Sequence, residues 1–212
     1  MASSPAQPGD RPAIEAVFLD LGNVLAFHDD PVLFRRMSEW GGAPPAEIRE
    51  RMLALWDPIN RGTLAGAELR RTVCRVAGAE TPLAPGPFFE LWNCHFRVNH
   101  EVLPMVEALL GQVKVLLLSN TNELHWRYIR PLIPQFERFT GLVVSCDLLL
   151  AKPDPEIYRI ALERAAVAPG RAAYFDDVPR FVEAACALGI HGRVFTDAPA
   201  FRAQLAELGI RV

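Results

Sequence analysis

The chain has 212 residues, half of them apolar, and a formal net charge of -3. This length supports one hydrophobic core, or a core plus a small additional domain. The chain has no basic stripe for nucleic acid and no apolar run near the roughly 20 residues that span a bilayer, so a small molecule is the expected partner.

The N-terminal segment, residues 1–11, is polar and rich in proline. It lacks the apolar centre of a secretory signal, so we expect a disordered tail on a cytoplasmic protein. The four cysteines lie far apart and form no CxxC pair. This spacing is typical of reduced thiols packed as small hydrophobic side chains.

Five short apolar runs, each ending in a polar residue, predict the strands of one sheet. Continuous apolar runs are typical of strands that are buried on both faces, as in a parallel sheet. The runs are Ala16–Leu19, Val113–Leu118, Leu142–Val144, Ala173–Phe175 and Arg193–Phe195. Apolar residues at helical spacing mark helices over residues 102–110, 155–164 and 182–189. The alternation of strand and helix predicts an α/β fold with a doubly wound parallel sheet.

One connection is much longer than a parallel crossover requires. The first strand ends at Asp20 and the second begins near Val113, whereas about a dozen residues are enough for a crossover. The intervening segment carries four helical patterns: Pro31 to Trp40, Pro45 to Trp56, a helix marked by Leu69, Val73 and Val76, and Pro87 to Phe96. We therefore predict a four-helix cap of residues 28–99, inserted into a core of residues 1–27 and 100–212.

Polar side chains follow the predicted strands at their carboxyl ends, where open α/β sheets bind ligands. They are Asp20, the pair Ser119-Asn120, Lys152 in the loop after the third strand, and the pair Asp176-Asp177. A carboxylate can accept a phosphoryl group, and Mg²⁺ prefers hard oxygen ligands. A hydroxyl and an ammonium can stabilise the charge on phosphoryl oxygens. Each residue alone fits a turn, a cap or a solvated position, but together they predict phosphoryl transfer.

These segments, in this order, resemble the four motifs of the haloacid dehalogenase (HAD) superfamily. The segments are Asp20–Val24, Leu118–Asn120, Lys152–Pro153 and Tyr174–Asp177, and the match extends from Ile14 to about Leu208. The runs Leu118–Asn122 and Ser145–Leu148 are similar to the bacterial glucose-1-phosphate phosphatase subgroup and to the phosphatase domain of soluble epoxide hydrolase. The resemblance implies a Rossmann-like core with a helical cap. It also implies a Mg²⁺-dependent phosphatase for a small phosphorylated metabolite, such as a sugar phosphate.

The resemblance assigns the metal site by position. Asp20 would be the nucleophile and a metal ligand, and Gly22 would offer its backbone carbonyl to Mg²⁺. Asp177 would bind the metal directly. Asp176 would bind it through water or orient the ligands around it.

The resemblance also assigns the phosphate pocket. Ser119 and Lys152 would hold the transferring phosphoryl group and act with the nucleophile in catalysis. Asn23 and Asn120 would bind substrate beside them and shape the pocket.

Three residues depart from the pattern of the family. Most of its phosphatases carry an aspartate general acid/base where this chain has Gly22, although the sugar-phosphate subgroup also has glycine. Without that acid, the sequence predicts a preference for substrates with good leaving groups. His28, on the loop that leads to the cap, is the nearest titratable candidate to replace it. Val178 and Phe181 stand where relatives often have polar residues that brace the metal site.

Alternative functions stay open. A haloacid dehalogenase would use Asp20 to displace halide without a metal, but the adjacent Asp176 and Asp177 favour a bound cation. A phosphomutase would need the acid that Gly22 lacks. A phosphate-binding pseudoenzyme is a further alternative. The sequence does not predict the oligomeric state, and it offers these candidates for substrate selection: His28, Asp29, Trp56, Arg61 and Trp92.

Overall fold

The computed structural model describes residues 13–212, so the predicted tail of residues 1–11 lies outside the described residues. The strands in this part of the chain are β1 (Ala16–Leu19), β2 (Ala26–His28), β3 (Phe96–Val98), β4 (Lys114–Ser119), β5 (Gly141–Val144), β6 (Ala172–Asp176) and β7 (His191–Val194). Five of them form a parallel sheet in the order β5-β4-β1-β6-β7. Each of the five predicted runs overlaps a strand of this sheet, and the predicted fold class is confirmed.

Helices flank the sheet and fill the long connection after β2. In chain order they are α1 (Asp30–Gly41), α2 (Pro45–Leu53), α3 (Trp56–Asn60), α4 (Gly66–Ala77), α5 (Pro85–Asn93), α6 (Leu103–Leu110), α7 (Glu123–Ile129), α8 (Ser145–Leu148), α9 (Pro155–Ala165), α10 (Pro179–Ala187) and α11 (Ala198–Glu207). None of the helices within residues 13–212 has the length and apolar character needed to cross a membrane.

The sheet is buried on both faces. Along β1, Val17 and Leu19 enter one apolar cluster together with residues of α6, α7 and α11. Ala16 and Phe18 enter a second cluster together with residues of α9 and α10. Because successive side chains of a strand point to opposite faces, both sets must be apolar, which explains the continuous apolar runs of the sequence. The register places Asp20, just after the central strand, at the carboxyl edge of the sheet.

The segment between β2 and β3 contains α1 to α5 and has its own apolar cluster, with Leu33, Met37, Ile48, Val73 and Trp92 at its centre. Residues 28–99 therefore contain five helices in the described structure instead of the expected four. The predicted helix from Pro45 to Trp56 ends at Leu53, and a five-residue helix follows it. Pro58 explains the break, since it has no N–H group with which to continue the preceding helix.

A short antiparallel pair of strands joins this insert to the core. β2 and β3 pair with His28 opposite Phe96. The last predicted helix of the insert, Pro87 to Phe96, is therefore too long, because α5 ends at Asn93 and Phe96 begins a strand. His28 is thereby fixed on a strand at the boundary between the insert and the core.

Candidate active site

A cavity of about 560 Å³ lies at the carboxyl edge of the sheet, with walls from both the core and the insert. All but one of the predicted site residues line it. The lining includes Asp20, Gly22, Asn23, Ser119, Asn120, Lys152 and Asp177. The exception is Asp176, which is fully buried and does not line the cavity.

Lys152 connects the two buried carboxylates of the site. Its ammonium donates to Asp20 Oδ1 at 2.8 Å, to Asp176 Oδ2 at 2.6 Å and to the carbonyl oxygen of Leu118 at 3.1 Å. An ammonium has three donors, so these bonds satisfy all of them. The charged hydrogen bond from Lys152 therefore fixes the orientation of the Asp20 carboxylate.

Both oxygens of Asp176 already accept hydrogen bonds from the protein. Oδ2 accepts from Lys152 Nζ and from the hydroxyl of Tyr174, and Oδ1 accepts from the backbone N–H of Val178 at 2.8 Å. Asp176 is buried below the cavity and accepts from these three donors. It therefore holds the ammonium of Lys152 in place.

Three carboxylates nonetheless lie close enough to share a cation. Ligand oxygens of Asp20, Asp176 and Asp177 are all within 4.8 Å of one another. An all-oxygen set of this kind suits Mg²⁺, which is commonly bound by one or two carboxylates with water completing its shell. The donor set therefore fits the predicted metal, with Asp20 and Asp177 facing the cavity.

The loop after β1 gives Asn23 a bridging position. Asn23 adopts a left-handed backbone conformation, with φ of 54°, which asparagine tolerates better than most residues. Its amide nitrogen donates to Asp177 Oδ2 at 2.8 Å and lies 3.4 Å from His28 Nε2. Asn23 thus connects the candidate metal ligand to the histidine of β2.

Asn120 holds the loop that carries Lys152. Its side chain donates to the carbonyl oxygen of Lys152 at 3.0 Å and accepts from the backbone N–H of Lys152 at 2.8 Å. The neighbouring Ser119 is buried at the end of β4 and lines the cavity, where its hydroxyl can meet a phosphoryl oxygen.

Burial controls the protonation of this cluster. It raises the pKa of Asp20 to about 7, against the lowering effect of the Lys152 ammonium. Burial would lower the pKa of Lys152, but the charges of Asp20 and Asp176 outweigh it and raise that pKa, so the ammonium stays charged. A second cation beside Asp20 would favour the carboxylate that a nucleophile requires.

Comparison with known proteins identifies the family. Residues 14–189 match the haloacid dehalogenase-like hydrolases. This match covers most of the chain. The chain belongs to the HAD-like hydrolases.

Individual relatives of this HAD-like hydrolase are distant. Acyl-CoA dehydrogenase family member 10 of Mus musculus is 29% identical over 119 residues, which are 53% of this chain but only 11% of the mouse protein. Sesquiterpene phosphatase astK of Aspergillus oryzae (strain ATCC 42149 / RIB 40) is 23% identical over 197 residues, covering 92% of this chain and 96% of the fungal protein.

Solved structures share the fold. A HAD family enzyme of Bacteroides thetaiotaomicron, in complex with magnesium and inorganic phosphate, superposes with a TM-score of 0.75 at 24% identity. The match covers 87% of this chain and 94% of that enzyme.

The two hydrophobic departures in this HAD-like hydrolase both contact the Lys152–Asp176 pair. Val178 supplies its backbone N–H to Asp176, a contact that does not depend on the side chain. The ring of Phe181 lies over the cavity edge with its centroid 5.1 Å from Lys152 Nζ, a distance suited to a cation–π contact.

The insert contributes residues that the sequence did not reveal. Leu53, Asp57, Asn60, His95 and Phe96 line the cavity, as does Arg180 of the core. Among the earlier candidates for substrate selection, His28 and Trp56 line it, whereas Asp29, Arg61 and Trp92 do not. Pro58 was the available sequence signal for this part of the lining. It interrupts the helical pattern, so Trp56 and Asn60 belong to a separate short helix at the cavity.

Proposed function

We propose that this HAD-like hydrolase is a Mg²⁺-dependent phosphatase that hydrolyses a small phosphorylated metabolite through an aspartyl-phosphate on Asp20. The observation that carries the proposal is the position of Asp20. It lies in the cavity wall, Lys152 holds its Oδ1, and Asp177 is within reach of a shared cation. A phosphatase among the relatives and a phosphate complex among the structural neighbours support the same chemistry.

In the proposed reaction Asp20 attacks phosphorus, and the ester oxygen leaves with its electron pair. Lys152 keeps the attacking carboxylate oriented, and its charge stabilises the negative charge of the transferring phosphoryl group. Ser119 donates its hydroxyl hydrogen to a phosphoryl oxygen. Asp20 and Asp177 would hold Mg²⁺, which would supply positive charge to offset the negative charge of the phosphoryl oxygens. Water then attacks the aspartyl-phosphate and restores the carboxylate.

The charge of the site supports the metal requirement. Asp20, Asp176 and Asp177 lie close together, and in the described structure Lys152 forms ion pairs with the first two. A phosphate dianion would add further negative charge to the same cavity. A metal-free dehalogenase takes an uncharged halogen centre beside its nucleophile and has no need for Asp177. The acidic cluster therefore favours the phosphatase over the dehalogenase.

The substrate body is expected to be small and mixed in polarity. Above the phosphate pocket the cavity combines Trp56 and Phe96 with the polar side chains of Asp57 and Asn60. Hydroxyl groups of a sugar phosphate can bond the polar side chains while its ring packs on the aromatic ones. We propose a sugar phosphate or a metabolite of similar size as the substrate.

The nucleophile is tested by Asp20→Asn, which preserves shape and removes the attacking charge. Hydrolysis of an aryl phosphate and of a panel of sugar phosphates should fall to the uncatalysed background, while the melting temperature shows that the protein still folds. Asp147→Asn, at an exposed carboxylate outside the cavity, is the matched control and should keep full activity. Substantial turnover by Asp20→Asn would refute the proposed mechanism, and wild-type protein without phosphatase activity would favour the pseudoenzyme.

A further inference from the structure

We propose that His28, positioned by Asp30, moves the protons of the reaction: it protonates the leaving oxygen and then deprotonates the hydrolytic water. This inference rests on the proposed phosphatase function. It is an alternative to the sequence-based prediction that the chain prefers good leaving groups, and it is suggested by the position of the His28 ring near Gly22.

The position of His28 is defined by the space above Gly22. A Cβ atom built on Gly22 would lie 3.5 Å from Asp20 Oδ2, 3.6 Å from His28 Nε2 and 3.6 Å from His28 Cδ2. The imidazole edge and the nucleophilic carboxylate thus flank the same small volume of the cavity. In the proposed reaction, the leaving group on the phosphorus that Asp20 attacks would occupy that volume.

The contacts of His28 select a useful tautomer. Nδ1 lies 3.2 Å from Asp30 Oδ1, so the N–H of Nδ1 donates to the carboxylate. Nε2 then faces the cavity, where in the neutral ring it accepts a hydrogen from Asn23 at 3.4 Å. The contact from Asn23 is long for a hydrogen bond, so Nε2 can exchange it for a substrate or water oxygen. A carboxylate on one ring nitrogen and a weakly held second nitrogen form the arrangement of a general acid and base.

The other ionisable groups of the cavity are less suited to this work. Burial lowers the pKa of His95 to about 4 and lowers that of His125 well below its ordinary value. The ammonium of Lys152 has all three donors engaged. Arg180 does not deprotonate in proteins. Of the cavity carboxylates other than Asp20, Asp30 is bonded to His28, Asp57 to Arg61 and Asp177 to Asn23. Among the described histidine, lysine and arginine residues of the cavity this leaves His28, whose side chain is 36% exposed.

The groups around His28 keep the proton available near neutral pH. The hydrogen bond to Asp30 raises the pKa of His28, and burial opposes it in part. The nearby ring of His95 is 6.4 Å away, and its lowered pKa leaves it neutral, while the remaining neighbour, Phe96, is uncharged.

Each step balances in atoms and charge. Asp20 bonds to phosphorus as the bond from phosphorus to the ester oxygen breaks, and that oxygen takes the proton of His28 Nε2 and leaves as an alcohol. Neutral Nε2 then takes a proton from water while the water oxygen bonds to phosphorus. The bond from phosphorus to Asp20 breaks, its electron pair returns to the carboxylate, and inorganic phosphate leaves.

The first experiment compares leaving groups in His28→Ala. An alkyl phosphate needs its oxygen protonated, so its kcat/KM should fall by about 10²–10⁴, the usual contribution of acid–base catalysis. An aryl phosphate with an acidic phenol leaves without a proton and should lose much less. Added imidazole should restore part of the alkyl phosphate rate. His100→Ala, at an exposed histidine outside the cavity, is the matched control and should change neither rate.

The second experiment tests Asp30 as a positioning residue. In Asp30→Asn the pKa of His28 should fall, because its partner carboxylate is lost. The acid form of His28 disappears as pH rises through that pKa, so the alkaline limb of the kcat/KM profile for alkyl phosphates should move to lower pH. A merely structural role of Asp30 would lower the rate without moving the limb, and that result would overturn its assignment.

The inference and the proposed function fail in different ways. Equal losses on alkyl and aryl phosphates in a folded His28→Ala protein, or no loss on either, would overturn the role of His28. The phosphatase proposal would stand in both cases, provided that Asp20→Asn abolishes hydrolysis of both substrates. Activity that survives Asp20→Asn would instead overturn the function on which the inference rests.

Discussion

At the scale of single residues, Gly22 leaves room for a Cβ atom beside Asp20, the proposed nucleophile. A Cβ atom there would meet only ordinary van der Waals contacts, and Gly22 is not among the described glycines with positive φ. The backbone at this position therefore accepts a residue other than glycine. The same space is flanked by His28, which lies on a different element.

We expect Gly22→Asp to have little effect on alkyl phosphates in the wild-type background, because His28 already supplies the proton. In the His28→Ala background the same change should raise kcat/KM for the alkyl phosphate by about 10-fold or more, which restores part of the acid–base contribution. Gly22→Ala in that background fills the space without a proton and should recover nothing. The measurement is kcat/KM of each double variant for one alkyl and one aryl phosphate. Equal recovery by alanine and by aspartate would contradict this account.

The motif residues were predictable from sequence because each follows an apolar strand directly. Asp20 and Ser119 lie where the continuous runs end, and the sheet brings such ends together. The bond between Asn23 and Asp177 was not predictable, since it depends on a left-handed turn. The position of His28 at the cavity was not predictable either, since His28 lies in the β2–β3 ladder, which carries no sequence signal of its own.

At the scale of secondary-structure elements, the short helix α3 determines what the insert presents to the cavity. Its last residue, Asn60, lines the cavity, and its carbonyl oxygen accepts a hydrogen bond from the hydroxyl of Ser145. Ser145 begins α8, is fully buried and also accepts from the backbone N–H of Thr121 at 2.9 Å. One hydroxyl thereby links the insert to the loop after β4.

Ser145→Ala should remove this link and leave buried backbone groups without a partner. The expected cost in the free energy of unfolding is about 1–3 kcal/mol, the penalty for unpaired buried polar groups. KM should rise as α3 loses its support at the cavity. Ser38→Ala, at a helical serine of α1, is the matched control and should stay within about 0.5 kcal/mol. Urea unfolding measures both, and equal stabilities for the two variants would contradict the proposed link.

The strands of the central sheet were predictable because burial on both faces requires a continuous run of apolar residues. Short elements were not, since packing and pairing against distant residues decide them. The chain from Leu53 to Trp56 reads as a continuous helix by apolar spacing, and only Pro58 breaks it. Phe96 fits a helical stripe equally well, but it pairs with His28 in a strand.

At the scale of the whole molecule, the acidic cluster lies where three apolar clusters meet around one cavity. Two of them sandwich the sheet and the third belongs to the insert. Close carboxylates repel one another, and Lys152 compensates only part of that charge. A divalent cation at Asp20 and Asp177 would therefore bind the folded state and stabilise the entire fold.

Mg²⁺ should raise the melting temperature in a concentration-dependent way, by mass action on the folded state. At 100 times its dissociation constant the gain is about 2.7 kcal/mol. Asp177→Asn should abolish most of this shift, whereas the control Asp147→Asn should retain it. Differential scanning fluorimetry in chelator and in a Mg²⁺ series measures the effect without any substrate. An unchanged melting temperature together with full activity in chelator would favour the dehalogenase alternative.

The sequence predicted the order of the site residues along the chain, and with it the family, because that order is encoded locally at the ends of strands. The face that the insert turns toward Asp20 was not predictable. That face follows from how α3 docks through Asn60 and Ser145, a contact between residues far apart in sequence.

The central claim is that a phosphoryl group passes through Asp20. The direct measurement is rapid acid quench of the protein during turnover of a phosphorylated substrate with Mg²⁺, followed by digestion and mass spectrometry. The account predicts a transient phosphoryl adduct on the peptide that contains Asp20, sensitive to hydroxylamine as an acyl phosphate must be and absent in Asp20→Asn. Turnover without any adduct on this peptide, or an adduct on another residue, would contradict it.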